Sequence, residues 1–291
     1  MTDSGRYLPQ DETIVVKPVR KVPLVIGAGI VSFASTLLGI GGGALLVPLL
    51  GAWGGMRLKR GVATSLALIT AVVTVGMVVQ IITAPDDILW IEVALLVAGA
   101  LAGAPVGRWM LRVIPRAMFR YVLAVFLVLV AIRMVGLIPQ ATHLIGESPD
   151  PEQATTIVFM LVTGFVAGVS STLFGIGGGI VIVPALTIGY SDLSAHFAIA
   201  RATSLAAIVP ISAWGTFLHA HKGNVEFKRL PLLLPLSLVC AIGGVLAANV
   251  LHADYLTVVF AVLLAIMSAK LLIDARAIQR ETKSSREKKI Q

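Results

Sequence analysis

The sequence predicts an all-α polytopic membrane protein built as two inverted-topology repeats. Each repeat is a re-entrant or broken helical hairpin plus three transmembrane helices. Three observations carry this reading: long uncharged apolar runs, a glycine motif that occurs twice, and a lopsided placement of lysine and arginine.

Of the 291 residues, 57% are hydrophobic and only 13% are charged, and the mean hydropathy is +0.93. Soluble domains carry about 25% charged residues. Uncharged apolar stretches occupy 61–83, 93–107, 154–174, 230–251 and 255–269. Runs of about 20 apolar residues match the roughly 30 Å hydrocarbon layer of a bilayer at about 1.5 Å per helical residue. Covering them inside a soluble core would take many more amphipathic helices than this chain offers. The single cysteine, Cys240, lies in an apolar run and reads as a small packing residue, with no disulfide or metal role. Residues 1–21 are mostly polar and lack the short apolar stretch and cleavage site of a signal peptide, so the apolar run from Val22 is expected to be retained. The tail 275–291 is basic. The net charge of +8 therefore sits near the membrane ends and reads as an orientation signal, with no nucleic-acid partner implied.

The internal repeat is direct. Ser35-Thr36-Leu37-Leu38-Gly39-Ile40-Gly41-Gly42-Gly43 recurs as Ser171-Thr172-Leu173-Phe174-Gly175-Ile176-Gly177-Gly178-Gly179, and the match continues into Val47-Pro48 and Val183-Pro184 at the same offset of 136. Ala63-Thr64-Ser65-Leu66-Ala67 echoes Ala202-Thr203-Ser204-Leu205-Ala206 at offset 139, and Gly103 pairs more weakly with Gly243. The chain thus divides into related halves, 22–137 and 154–274, joined by an acidic, proline-containing linker at 138–153.

Charge decides how the halves are oriented. The 29 residues from Val22 to Leu50 would span roughly 43 Å as one helix, too long for an ordinary crossing, and successive glycines break their middle. If that segment crosses once, Lys and Arg divide 15 inside and 8 outside. If it enters, turns at the glycines and leaves on the same face, they divide 21 inside and 2 outside, the two being Arg133 and Arg201. The positive-inside rule selects the second arrangement. Each half then contributes three crossings, an odd number, so the second half starts on the opposite face and both termini are cytoplasmic.

Irregular backbone at membrane depth is tolerated where it is buried in protein or lines a cavity, and inverted repeats with broken helices are a recurrent transporter plan. Gly39, Gly41, Gly42, Gly43, Gly175, Gly177, Gly178 and Gly179 permit positive φ and a close approach to backbone amides. The short helices after them would aim their N-termini at a common midplane site, which favours an anion. Ser35, Thr36, Thr64, Ser65, Ser171, Thr172, Thr203 and Ser204 are candidate additional donors.

Each feature also has a structural reading. Glycines pack membrane helices closely, and Ser and Thr bond back to their own helix. A dinucleotide loop is dismissed because no strand–turn–helix context surrounds the glycines. Arg201, one turn into an apolar segment where its counterpart Val62 is uncharged, is an intramembrane cation suited to an anionic substrate; alternatively it snorkels outward toward Asp192. Arg133 and Glu92 read as interfacial, and His219 and His221 as loop histidines, with proton coupling the alternative.

The duplicated glycine motif, its downstream Val-Pro and the Ala-Thr-Ser that follows each copy resemble the TauE/SafE sulfite exporter family, also called the toluenesulfonate uptake permease family. The resemblance covers 22–274. It implies a membrane carrier of sulfur-containing oxyanions or organosulfonates, such as sulfite, thiosulfate or sulfoacetate, with the eight motif glycines and neighbouring hydroxyls in the site. The expectation is a non-enzymatic secondary transporter of the inner (plasma) membrane, needing no cofactor or metal, with a small anion and the lipid bilayer as its partners; homo-oligomerisation is left open. A passive anion channel is the alternative. An intramembrane enzyme would need paired carboxylates or a nucleophile–base pair at depth, and the apolar runs hold neither.

Overall fold

The computed structural model describes residues 20–113 and 145–251, with further positions scattered through 121–132 and 255–273. Helices are α1 (Lys21–Leu38), α2 (Gly43–Ala52), α3 (Leu58–Thr83), α4 (Trp90–Val113), α5 (Ala154–Phe174), α6 (Gly179–Gly189), α7 (Ser191–Ala195), α8 (Phe197–Ala220) and α9 (Leu230–Val250). Six segments of the described residues are long and apolar enough to cross a membrane: Lys21–Leu38, Lys59–Thr83, Trp90–Met110, Ala154–Phe174, Phe197–Ala220 and Phe227–Val250. No strand occurs among the described residues, so the protein is an all-α polytopic membrane protein. The last crossing expected in the first half falls largely outside the described residues, as do Arg133 and both terminal segments; most positions of the second half's last crossing, 255–269, are described and helical.

Large apolar side chains face outward along these helices. Val22, Ile26, Ile30, Val158, Val162, Val239 and Leu246 are all exposed. In water such a surface would drive association; against lipid tails it costs nothing.

Both glycine motifs break a helix and send the chain back along it. α1 ends on Gly39 (φ +67°), and the chain turns through Gly41 (φ +79°) and Gly42 (φ +63°) before α2 starts. The second copy repeats this at Gly175, Gly177 and Gly178, with φ of +71°, +85° and +94°. Side chains with a Cβ are strained in that left-handed region, which is why the run must be glycine. α2 then returns beside α1, so that Leu49 and Trp53 press on Gly27 and the Arg20 amide donates to the Trp53 carbonyl at 3.0 Å. α6 returns beside α5 in the same way. Phe159 meets Tyr190 edge-on at 5.8 Å, and the Tyr190 hydroxyl donates to Thr156 Oγ1 at 3.1 Å. Each motif is therefore a hairpin whose two ends lie together, not one helix running straight through.

Helix directions follow from matched contacts. α4 runs parallel to α5, with Gly99, Gly103 and Gly107 against the carbonyls of Leu161, Phe165 and Val169. α9 runs parallel to α1: Gly29 faces Leu236 and Cys240, Gly244 faces Phe33 and Thr36, and Thr36 Oγ1 donates to the Ala241 carbonyl at 2.9 Å. The central pair, α3 and α8, is antiparallel. Thr64, near the start of α3, accepts the Glu226 amide beyond the end of α8, whereas the Leu89 amide beyond the end of α3 donates to Thr203 near the start of α8. Between these, Thr70 meets Ser212 and Thr216 at 3.1 and 3.3 Å.

These directions sort charge by end. One end gathers Arg20, residues 57–60, Arg108 and residues 222–229, where Glu226 pairs with Arg60 at 3.3 Å and with Arg229 at 2.8 Å. The other end carries Asp86, Asp87, Glu147, Asp150, Glu152 and Asp192.

The two hairpin turns meet at the centre. Gly43 lies against the Gly175 carbonyl and Gly179 against the Gly39 carbonyl, so closely that a methyl group at either would overlap that oxygen. Gly51, by contrast, has only the Met56 carbonyl within 4 Å of an added Cβ, at 3.9 Å. Gly43→Ala should therefore destabilise the fold by about 1–3 kcal/mol through overpacking. Gly51→Ala should be neutral or stabilising, because alanine favours a helix interior. Apparent melting temperatures of the two variants in detergent check this; equal values would show that the turn crossing is not tight.

Candidate functional site

Most of the hydroxyls singled out by sequence hold the two halves together. Ser204 Oγ donates to the Gly39 carbonyl at 2.8 Å, and Ser65 Oγ donates to the Gly175 carbonyl at 3.0 Å. Each serine thus caps the helix end of the opposite half. Thr64 and Thr203 accept loop amides of the opposite half, Thr36 bonds to α9, and Thr172 Oγ1 bonds back to the Gly168 carbonyl at 2.9 Å. Six of the eight hydroxyls are thereby engaged.

Ser35 and Ser171 are the exceptions. They are equivalent positions, both are buried, and neither hydroxyl has a hydrogen-bond partner in the structure. A buried unsatisfied hydroxyl costs about 1–3 kcal/mol, which a water or a ligand oxygen would relieve. Close by, α2 and α6 begin at Gly43 and Gly179 with no side chain capping either N-terminus. Their free amides and dipoles favour negative charge.

Arg201 is the one candidate charge drawn fully inside. Its side chain has 0% exposure, so it does not snorkel to the surface. Nη1 donates to the Thr36 carbonyl at 3.3 Å, and Nη2 donates to Gln80 Oε1 at 2.6 Å and to Asn249 Oδ1 at 2.8 Å. Nε is buried without a partner. Its backbone and Cγ press on Gly39, where a Cβ would lie 2.7 Å from the Arg201 carbonyl oxygen, so the motif glycine also makes room for this residue.

The amides around the guanidinium are themselves oriented. Gln80 Nε2 donates to the Ala84 carbonyl at 3.0 Å, and Asn249 Nδ2 donates to Thr83 Oγ1 at 2.7 Å. Both oxygens are left facing Arg201. Among the described residues no carboxylate forms an ion pair with it; Asp87 accepts instead from the Gln80 amide, at 3.5 Å. A buried cation held by neutral acceptors retains most of its desolvation cost, which amounts to several kcal/mol. A small anion beside it would offset that cost and occupy the unused Nε–H. Sequence reasoning did not single out Gln80 or Asn249, yet each is the lone carboxamide in an otherwise apolar run, 61–83 and 230–251. That pattern is a usable signal for a polar group kept inside a membrane bundle.

The opposite half departs from this arrangement. Val62 stands where Arg201 would be, against Gly175. His219 occupies the position matching Gln80, buried rather than in a loop, with Nε2 3.4 Å from the Thr172 carbonyl. Among the described residues no group of His, Cys, Asp and Glu is arranged to hold a metal.

Comparison with known proteins agrees with this architecture. A protein of Methanocaldococcus jannaschii, named a probable membrane transporter protein, is 28% identical over 240 residues, covering 76% of this chain and 81% of its own length. Another of that name from Haemophilus influenzae is 33% identical over 135 residues, covering 45% of this chain and 51% of its own. No solved structure matches. The family model for the sulfite exporter TauE/SafE matches residues 6–134 and 160–291, so both halves are covered. The chain belongs to the sulfite exporter TauE/SafE family of membrane transporters.

Proposed function

We propose that this protein is a secondary transporter of small sulfur-containing anions, sulfite, thiosulfate or organosulfonates such as sulfoacetate, and not an enzyme. Residues 22–137 and 154–274 act as inverted repeats that give alternating access to a site near the crossing of the glycine turns. The opposed directions of α3 and α8, and of the parallel-packed pairs around them, support inversion. The collection of basic residues at one end supports placing that end, with both termini, on the cytoplasmic face of the inner membrane. The observation that carries the anion reading is Arg201, buried among neutral acceptors with an unused Nε–H. A compact oxyanion with three or more oxygen or sulfur acceptors, pyramidal as in sulfite or tetrahedral as in thiosulfate and sulfonates, accepts hydrogen bonds from guanidinium, hydroxyl and amide donors at once.

Uptake of labelled sulfite, thiosulfate and sulfoacetate into proteoliposomes, with and without an imposed pH gradient, tests the proposal. Saturable flux of at least one is expected, whereas a passive channel would give flux that does not saturate. Arg201→Gln should raise the half-saturation concentration on the order of tenfold or more, the worth of a charge-assisted hydrogen bond. Unchanged saturation in that variant would remove Arg201 from the site.

Orientation is tested separately. With Cys240 replaced by serine, single cysteines at Arg57 and at Gln153 should label from opposite faces, Arg57 from the face that bears the N-terminus. Labelling of Arg57 from the face opposite the N-terminus would overturn the inverted arrangement.

A further inference from the structure

Both halves place a nitrogen-bearing side chain against the carbonyl that precedes the glycine turn by three residues. In one it is Arg201, on the Thr36 carbonyl. In the other it is His219, on the Thr172 carbonyl. The repeat offsets make Thr172 the counterpart of Thr36, and His219 the counterpart of Gln80, which binds Arg201. The basic end therefore has its own polar cluster, with a titratable ring where the other end has a permanent cation.

Two further groups complete it. Ser171, adjacent to Thr172, holds its hydroxyl buried and unpartnered, facing α8 at Gly215, one turn before His219. Arg108 of α4, partly buried, follows Gly107, which lies against the Val169 carbonyl, so it stands beside the turn of α5 that carries Ser171 and Thr172. Among the described residues the charges acting on His219 are those of Arg108 and of Lys222 in the turn after α8; α5 offers it the Thr172 carbonyl, and no carboxylate of α3, α4 or α5 pairs with it. A cationic, hydroxyl-bearing cluster without a counter-ion fits an oxyanion.

We propose that His219, Ser171 and Arg108 form a second anion station at the basic end, and that the anion bound there brings a proton onto His219. The proposal rests on the anion-transport reading above and adds a coupling ion to it. A proton on the ring gives Nδ1 and Nε2 both a hydrogen to donate, so one can stay on the Thr172 carbonyl while the other meets the anion. Anion and proton then stabilise each other's binding by the same factor. The contribution of a protonated His219 is present at low pH and is lost as pH rises through the range in which histidines change charge.

The test uses the full chain in detergent, with radiolabelled thiosulfate as the probe because it remains a dianion across that range. Equilibrium dialysis gives affinity, and an indicator dye in weak buffer gives protons taken up on binding. The wild type should take up protons with thiosulfate and bind it on the order of tenfold more tightly at about pH 6 than at about pH 8. His219→Gln installs the residue its counterpart already has, so folding should be preserved. It should bind without proton uptake and without that pH dependence. Arg108→Gln should bind on the order of tenfold more weakly while keeping proton uptake. Proton uptake and pH dependence surviving in His219→Gln, or full affinity in Arg108→Gln, would overturn the second station and leave the transporter reading standing. A wild type that binds none of thiosulfate, sulfite and sulfoacetate would instead sink the transporter reading, and this proposal with it.

Discussion

Two carbonyl oxygens, those of Gly39 and Gly175, set the architecture. A helix that stops inside a membrane leaves its last carbonyls without partners, and no water is at hand to solvate them. Here Ser204 serves Gly39 and Ser65 serves Gly175. Because each donor comes from the other half, neither hairpin can satisfy its own turn. The same crossing forces glycine at Gly43 and Gly179, where the opposite carbonyl occupies the volume a side chain would need. Interlocking, backbone satisfaction and the glycine requirement are one constraint seen from three sides.

The Ala-Thr-Ser echo gains a meaning from this. Its serine caps the opposite turn, and its threonine accepts the amide of the opposite half's loop, Glu226 for Thr64 and Leu89 for Thr203. Duplicated residues are thus spent mainly on joining the halves, and polar chemistry enters where the duplication fails. Val62 against Arg201, and Gln80 against His219, are such failures. A strictly symmetric chain would offer the same environment at both ends; this one offers a fixed cation at one and an ionisable ring at the other.

Much of this was readable in the residues. The repeat, the apolar runs and the excess length of 22–50 already called for two glycine-broken hairpins, and Arg201 stood out as a charge inside an apolar segment. The partners of the hydroxyls were not readable. Ser65 and Gly175 are 110 residues apart, and Thr36 and Ala241 are 205 apart, so no local pattern distinguishes a serine that caps a distant turn from one that bonds to its own helix. Gln80 and Asn249 were passed over for a related reason: a neutral amide barely changes hydropathy, and its importance appears only when a guanidinium lies against it. His219 looked like a loop residue because α8 extends to Ala220, a boundary that composition leaves blurred by a residue or two.

The closeness of the turns also constrains how a ligand is handled. With Gly43 on the Gly175 carbonyl and Gly41 beside Ile176 and Gly177, the turn backbones are in contact with each other. An oxyanion as wide as sulfite cannot lie between them without the halves parting. Among the buried donors left without protein partners, Ser35, Ser171 and the Nε of Arg201 are side chains around this crossing. The proposed cycle therefore places the anion against these side chains, beside the crossing, while the turns hold the halves in register. Turn amides join the ligand only in a state where Ser65 and Ser204 have released their carbonyls. Such a state leaves two buried carbonyls unpaired, at about 1–3 kcal/mol each, and the bound anion has to supply that difference for the protein to change conformation.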